Sequence, residues 1–343
     1  MPSHCVLFRV DAGPDIGLGH LQRSLSLASA LHQFGATCIF LTNRVPAVQS
    51  RVKAFGFEAD GLETLEPGGA ENLKSTLRKA IRHRCDVMVV DSYNVGADYL
   101  GHLRATGLFV VAIDDLARHP FPCQLVVNGG AHALQLPYCP SSGDTRFLLG
   151  PRYALLHPEF WDASSRAVQK TAANVLVTLG GADQHNLMPM MLSLLDDLPG
   201  EFTVTAIVGP FFSNCSEVQA MAKDCRRSVL LVRSPDSVRD LMLKADLAIS
   251  AGGQTLYELA AAGTPTVAIQ VADNQAPSVR ALVAKGTVYM GGCVGEAQLL
   301  DRVSEVVKML LADNDTRARM IAAGQQLLDG QGARRIAEVM VSA

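Results

Sequence analysis

A cationic surplus is missing from this sequence. Thirty Lys and Arg stand against 33 Asp and Glu, for a net charge of −3 and a pI near 6.3. A nucleic-acid binder carries a basic excess or a basic stripe, so that class of partner is excluded. The densest cationic run, residues 78–84 (RKAIRHR), reads as the wet face and C-terminal end of a helix, where the dipole favours positive charge. Metal-type cysteine spacing is also missing. The eight cysteines include no C-x-x-C pair and no zinc pattern. Several lie in or beside apolar segments, where a free thiol behaves as a small hydrophobe, and this points to a reducing, cytoplasmic setting. No apolar run approaches the roughly 20 residues of a membrane helix, and the N-terminal MPSHCVLFR is too short an apolar run for a signal peptide. The acidic residues form no tight sequence cluster of the kind that holds Mg²⁺. The expectation is a chain without metal, cofactor, membrane segment or nucleic-acid partner.

What the chain does have is apolar content, 48% of its 343 residues, enough for two α/β cores rather than one. Predicted strands are Val6–Val10, Thr37–Thr42, Val87–Asp91, Leu108–Asp114 and Leu125–Asn128. A second series follows at Val175–Leu179, Thr203–Val208, Val229–Val232, Leu247–Ser250 and Thr266–Gln270. Helical periodicity occupies the stretches between, such as Leu21–Phe34, Asn72–His83 and Val95–Thr106. The strands are nearly continuous apolar runs, as parallel strands covered by helices on both faces require. Two Rossmann-like domains are therefore predicted, 1–165 and 166–343. Asp162–Ala173 reads as a hinge plus linking helix. Helices at Ala297–Ala312, Thr316–Leu328 and Ala333–Val341 close the chain, the last of them free to pack back on the first domain. Ligands of such sheets bind at the carboxyl ends of the strands, so a cleft between the halves is the expected site.

Three glycine-bearing loops follow predicted strands. In the first, Gly17 and Gly19 allow a tight turn and close approach of a ligand, and His20 falls in the first helical turn, with Arg23 three residues on as a further candidate ligand-binding residue. Free amides and the positive end of the dipole disfavour an imidazolium there. A neutral imidazole at a cleft suits a general base; a histidine that only hydrogen-bonds its own turn fits the same pattern. G-x-G-H lacks the third glycine of the dinucleotide fingerprint. In the second loop, Gly180-Gly181 ends a strand before a helix, a place for backbone amides to meet phosphate and equally for a simple turn. The third loop combines Gly252, Gly253, Gln254, Thr255 and Glu258. Its helix start and the Thr255 hydroxyl suit a diphosphate, and Glu258 suits ribose hydroxyls; a carboxylate favoured by the dipole alone is the other reading. Strand-end residues Asp91, Asp114, Asp115 and Asn128 face the same end of the sheet, to orient His20, hold hydroxyls or cap helices.

Gly17-Leu18-Gly19-His20 with Arg23, Asp91-Ser92-Tyr93, Tyr153-Ala154-Leu155-Leu156, Gly180-Gly181-Ala182-Asp183, the Ser250–Glu258 loop and Asn274-Gln275 occur here in one order. That ordered set resembles the UDP-2,4-diacetamido-2,4,6-trideoxy-β-L-altropyranose hydrolases of pseudaminic acid biosynthesis. They sit within a GT-B superfamily that also holds spore-coat polysaccharide glycosyltransferases. The resemblance spans roughly residues 5–290. It implies a GT-B fold, metal-independent attack of water at the anomeric carbon and release of UDP. It assigns His20 as the essential histidine, Tyr93 and the Asn274-Gln275 pair as substrate contacts, and Gly252 to Glu258 as the nucleotide loop. A glycosyltransferase using the same nucleotide site, and a non-catalytic nucleotide-sugar-binding subunit, are the alternatives. The chain departs from the family pattern at His157, where arginine is usual, and at Tyr257, where tryptophan is usual.

Overall fold

Val6, Leu7, Phe8 and Val10 have no face to show to water, and a strand of that kind is stable only inside a helix-covered parallel sheet. The computed structural model describes residues 4–14, 16–62, 66–140, 143–162, 166–235 and 237–342. The chain divides into two compact units, 1–158 with 331–343, and 159–330.

The first unit runs β1 (Cys5–Val10), α1 (Gly19–Gln33), β2 (Thr37–Thr42), α2 (Pro46–Ala54), β3 (Glu58–Gly61), α3 (Ala70–Arg82), β4 (Val87–Asp91), α4 (Ala97–Ala105), β5 (Phe109–Ile113), β6 (Leu125–Asn128) and β7 (Arg146–Leu149). All its pairings are parallel, in the order β3-β2-β1-β4-β5-β6-β7. The second unit runs β8 (Asn174–Thr178), α5 (Leu187–Asp196), β9 (Thr203–Val208), α6 (Cys215–Asp224), β10 (Val229–Arg233), α7 (Arg239–Lys244), β11 (Leu247–Ala251), α8 (Thr255–Ala261), β12 (Thr266–Gln270), α9 (Ala276–Ala284), β13 (Val288–Cys293), α10 (Leu299–Ala312) and α11 (Asn314–Leu327). Its sheet is also parallel, ordered β10-β9-β8-β11-β12-β13. The last helix, α12 (Gly332–Val341), belongs to the first unit and packs on α1 through buried Ala333, Ile336, Ala337 and Met340.

Both sheets are Rossmann-like. In each, the strand order reverses once, between β1 and β4 in the first unit and between β8 and β11 in the second. The crevice at such a reversal, outside the carboxyl ends of the strands, is where open α/β sheets bind ligands. Three strands escape the sequence reading: β3, with the polar sequence EADG; β7, a short outermost strand; and β13, interrupted by glycines. The linking helix expected within 162–173 is not seen among the described residues. Residues 163–165 lie outside them, and 166–173 run without helix, their backbone held where Arg317 donates to the carbonyls of Gln169 (2.7 Å) and Lys170 (3.2 Å). A linker satisfied by a side chain in this way has no need of helical hydrogen bonds.

Candidate active site

The loop after β1 closes on itself. Gly13 and Gly17 exchange backbone hydrogen bonds at 3.2 and 2.7 Å, with Gly17 at a φ of 85° that only glycine adopts without strain. A Cβ added at Gly17 or Gly19 would meet nothing within 4 Å, so both leave open space in front of α1. His20 is the second residue of α1, whose first turn has no acidic residue and no side-chain cap.

Around His20 the switch point gathers four more side chains. Its Nδ1 contacts Asp91 Oδ1 at the end of β4. Arg23, one turn along α1, donates to both Asp91 oxygens, from Nε at 2.7 Å and a terminal nitrogen at 2.6 Å. Its other terminal nitrogen reaches both oxygens of Asp115, at 2.8 and 2.7 Å. Tyr93 donates its hydroxyl to Asp115 at 2.8 Å and sets its ring edge-on to His20, with centroids 4.4 Å apart. The set thus closes as a ring: His20, Asp91, Arg23, Asp115, Tyr93 and back to His20.

The electrostatics fix proton positions. Burial alone would raise the Asp91 carboxyl, but the charge of Arg23 and then the contact with His20 outweigh it and hold Asp91 well below the usual carboxylate range. Asp115 is likewise lowered: burial opposes ionisation and Arg23 overcomes it. Arg23 would lose basicity on burial, yet Asp115 and Asp91 drive it well above its ordinary value. Burial, then the neighbouring Asp115, push the Tyr93 phenol up, so it stays protonated and cannot serve as a base. Asp91 is ionised and accepts only, so His20 Nδ1 is the donor in that contact, and Nε2 is the other ring nitrogen. This is the base-plus-orienting-carboxylate arrangement of general-base catalysis. His20 is 6% exposed and Tyr93 39%.

Arg23, expected among ligand-binding residues, spends its donors on Asp91 and Asp115. Sequence reasoning gave Asp91 and Asp115 several possible jobs and left Asp11 out. Asp11 is buried after β1, bonded to Arg9, Ser92 and Asn94. An arginine inside an otherwise apolar strand was the available signal. His157 packs edge-on against Phe55, 5.2 Å between ring centroids.

In the second unit the two glycine loops leave adjacent strands, with Thr178 of β8 in register with Ser250 of β11. Gly180 has φ 82°, and the Gly180-Gly181 carbonyls lie against Gly209, where a Cβ would come within 2.5 Å of either oxygen. The α5 start is already occupied: Asp183 accepts from the amides of Leu187 and Met188, both at 2.8 Å. In the third loop, Gly252 N–H donates to Ile269 O (2.8 Å) and Gly253 N–H to Ala251 O (2.9 Å), so what these glycines contribute is room rather than donors. A Cβ on Gly252 would lie 2.7 Å from Val279 and 2.8 Å from the Gln275 oxygen, which itself accepts from Val271 N–H at 2.9 Å. Gln275 is thereby brought against the glycine loop, while Asn274 beside it is exposed. Gln254 and Thr255 open α8, and Glu258, 6% exposed, lies one turn on inside the unit rather than on its surface. Tyr257 is buried with its hydroxyl 2.6 Å from Ser278. Within the first unit the candidate residues gather at the β1/β4 reversal, and within the second the two glycine loops leave the adjacent strands β8 and β11. Among the described residues no group of three or more His, Cys, Asp or Glu is placed to hold a metal ion, and no helix is long and apolar enough to cross a membrane.

The fold is that of known GT-B proteins. The chain superposes over its whole length on MurG of Acinetobacter baumannii, with a TM-score of 0.68 and 16% identity, each chain covered completely. Against the spinosyn rhamnosyltransferase SpnG the TM-score is 0.69 at 17% identity, covering 98% of this chain and 99% of that one. No family model matches the sequence. Among curated relatives, it is 24% identical to the spore coat polysaccharide biosynthesis protein SpsG of Bacillus subtilis, over 96% of both chains. It is 22% identical to the UDP-2,4-diacetamido-2,4,6-trideoxy-β-L-altropyranose hydrolase of Campylobacter jejuni, over 82% of this chain and 97% of that protein. A Methanocaldococcus jannaschii protein of uncharacterised function is 26% identical over 76% of this chain, and the match spans only 54% of that protein's length. The chain is a distant relative of GT-B nucleotide-sugar enzymes, hydrolases and glycosyltransferases both among them.

Proposed function

We propose that the protein hydrolyses a UDP-linked amino sugar, a diacetamido-trideoxyhexose or close analogue, to the free sugar and UDP. The observation that carries this reading is the buried pairing of His20 with an ionised Asp91 at a sheet switch point. The second unit binds the nucleotide. Its α8 start, with Thr255, holds the diphosphate, Glu258 takes ribose hydroxyls, and Asn274-Gln275 border the glycine loop. A water oxygen bonds to C1 of the sugar while the C1–O bond to the diphosphate breaks, and the electron pair leaves with UDP. The water proton passes to His20 Nε2, and Asp91 stabilises the imidazolium that results. Arg23 keeps Asp91 ionised and in place, and Tyr93, a protonated phenol, walls the ring. A hydroxyl donor such as Thr255 at the leaving diphosphate is worth several kcal/mol in such reactions. The C. jejuni relative supports the substrate class. The near-complete enclosure of His20 favours water over a bulky acceptor.

Replacement of His20 by Ala or Asn tests the reading. Turnover is expected to fall about 10²–10⁴-fold, with UDP affinity, measured by calorimetry, little changed. Near wild-type turnover in both variants would remove His20 from the role. The second reading is glycosyl transfer, favoured by the full-length match to the B. subtilis polysaccharide protein. Mass balance separates the two: a hydrolase releases sugar and UDP one for one without an added acceptor, and a transferase waits for one.

A further inference from the structure

The segment Ser92-Tyr93-Asn94 leaves β4 beside the reversal of strand order and carries the aromatic wall of His20. The side chains flanking Tyr93 converge on a single oxygen. Ser92 Oγ donates to Asp11 Oδ2 at 2.5 Å and Asn94 Nδ2 donates to the same atom at 3.2 Å. The other oxygen of Asp11 takes Arg9 at 2.6 Å, and both members of that ion pair are buried. The Asn94 amide also donates to Ser92 Oγ at 3.1 Å, so the segment is tied to itself as well as to Asp11. A Cβ on Gly68 would fall 2.0 Å from the Asn94 carbonyl, so backbone packs directly against the segment.

We propose that the Arg9–Asp11 pair positions Tyr93 for the cleavage reaction, by fixing the residues on either side of it. The inference rests on His20 being the reacting base. A buried ion pair adds little stability over well-packed apolar residues, and its best-attested use is to specify one arrangement. Here the carboxylate satisfies three donors, two of them from the residues flanking Tyr93, and the Arg9 hydrogen bond aims it. Together with the Tyr93–Asp115 hydrogen bond this holds the ring at both its backbone and its hydroxyl. Arg9 and Asp11 touch neither His20 nor the reacting atoms in this scheme; they are positioning residues.

The test uses Ser92→Ala, Asn94→Ala and the double variant, all at the outer side of the network, where Asn94 is exposed and Ser92 partly so. Melting temperature and UDP affinity are expected to stay near wild type. The kcat of the double variant is expected to fall about tenfold or more, since a misplacement of about 1 Å near a reacting group can cost on the order of 10²-fold. Ser92→Thr, which keeps the hydroxyl, restores most of the rate. Independently of turnover, the His20 ring-proton resonances, assigned by their loss in His20→Asn, are expected to move as the Tyr93 ring shifts. A double variant with wild-type kcat overturns the proposal, and so does a lowered kcat with unmoved His20 resonances. If the wild-type protein cleaves no nucleotide sugar, the functional reading fails by itself, and the resonances alone then decide whether Asp11 positions Tyr93.

Discussion

His20 meets partners that lie far away in sequence. Asp91 lies 71 residues on and Asp115 a further 24, and both are brought to it because β1, β4 and β5 are adjacent in the sheet. Glycines before a helix made His20 legible as a candidate base. Its carboxylate partner was not legible, since a strand-end aspartate caps helices as often as it orients a histidine, and only strand order decides between the two. Arg23, one turn along the same helix, meets two carboxylates that sequence spacing alone does not bring to it. The sign of the acid dependence follows from these shifts. Asp91 and Asp115 are lowered in the folded protein, so their stabilisation is complete above the unfolded aspartate value near about 3.9. It is lost as pH falls through the lower folded values. Asp91→Asn should cost up to about 3–5 kcal/mol at neutral pH, the range for breaking a buried pair, and should flatten the loss of stability below about pH 4. Urea denaturation of both proteins across that range checks it. An unchanged acid slope would mean that Asp91 is not the ionised partner.

At the scale of elements, glycine decides how closely backbones pass. Gly324 of α11 lies on α8, where an added Cβ would sit 2.5 Å from the Ala260 carbonyl oxygen. Gly324→Ala therefore forces α11 away from the short helix that carries Thr255 and Glu258. A loss of about 1–3 kcal/mol is expected, the usual cost of overpacking, and weakened UDP binding should accompany it. Calorimetric titration with UDP beside thermal melts checks both; full stability with full affinity would show that α8 is not held by this contact. The apolar strands and the long terminal helices were readable because period and burial agree in them. β3, β7 and β13 were not, because their polar or glycine-bearing sequences carry little periodic signal. Their pairing comes from the neighbouring strand rather than from their own residues.

For the whole molecule, two βα series in one sequence were enough to read two Rossmann-like units. The return of α12 to the first unit joins chain positions about as far apart as the sequence allows, and no local pattern encodes the choice of α1 as its partner. Gly332 sits so near Ala154 that a Cβ would be 2.2 Å from its carbonyl oxygen, and four apolar residues of α12 are buried. Deleting residues 331–343 should therefore destabilise the first unit selectively. Calorimetry should show one transition moving to lower temperature while the second unit's remains, with turnover lost and UDP binding kept. A single unshifted transition would mean that α12 contributes nothing to the unit bearing His20.

The central claim is tested most directly with H₂¹⁸O. Incubation of the protein with a panel of UDP-linked amino sugars, without acceptor, followed by mass spectrometry of both products, locates the bond that breaks and the oxygen that attacks. The account predicts ¹⁸O in the C1 hydroxyl of the free sugar, none in UDP, equal amounts of the two products, and loss of the reaction in His20→Asn. Label in the UDP phosphate, or product only after an acceptor is added, would contradict it.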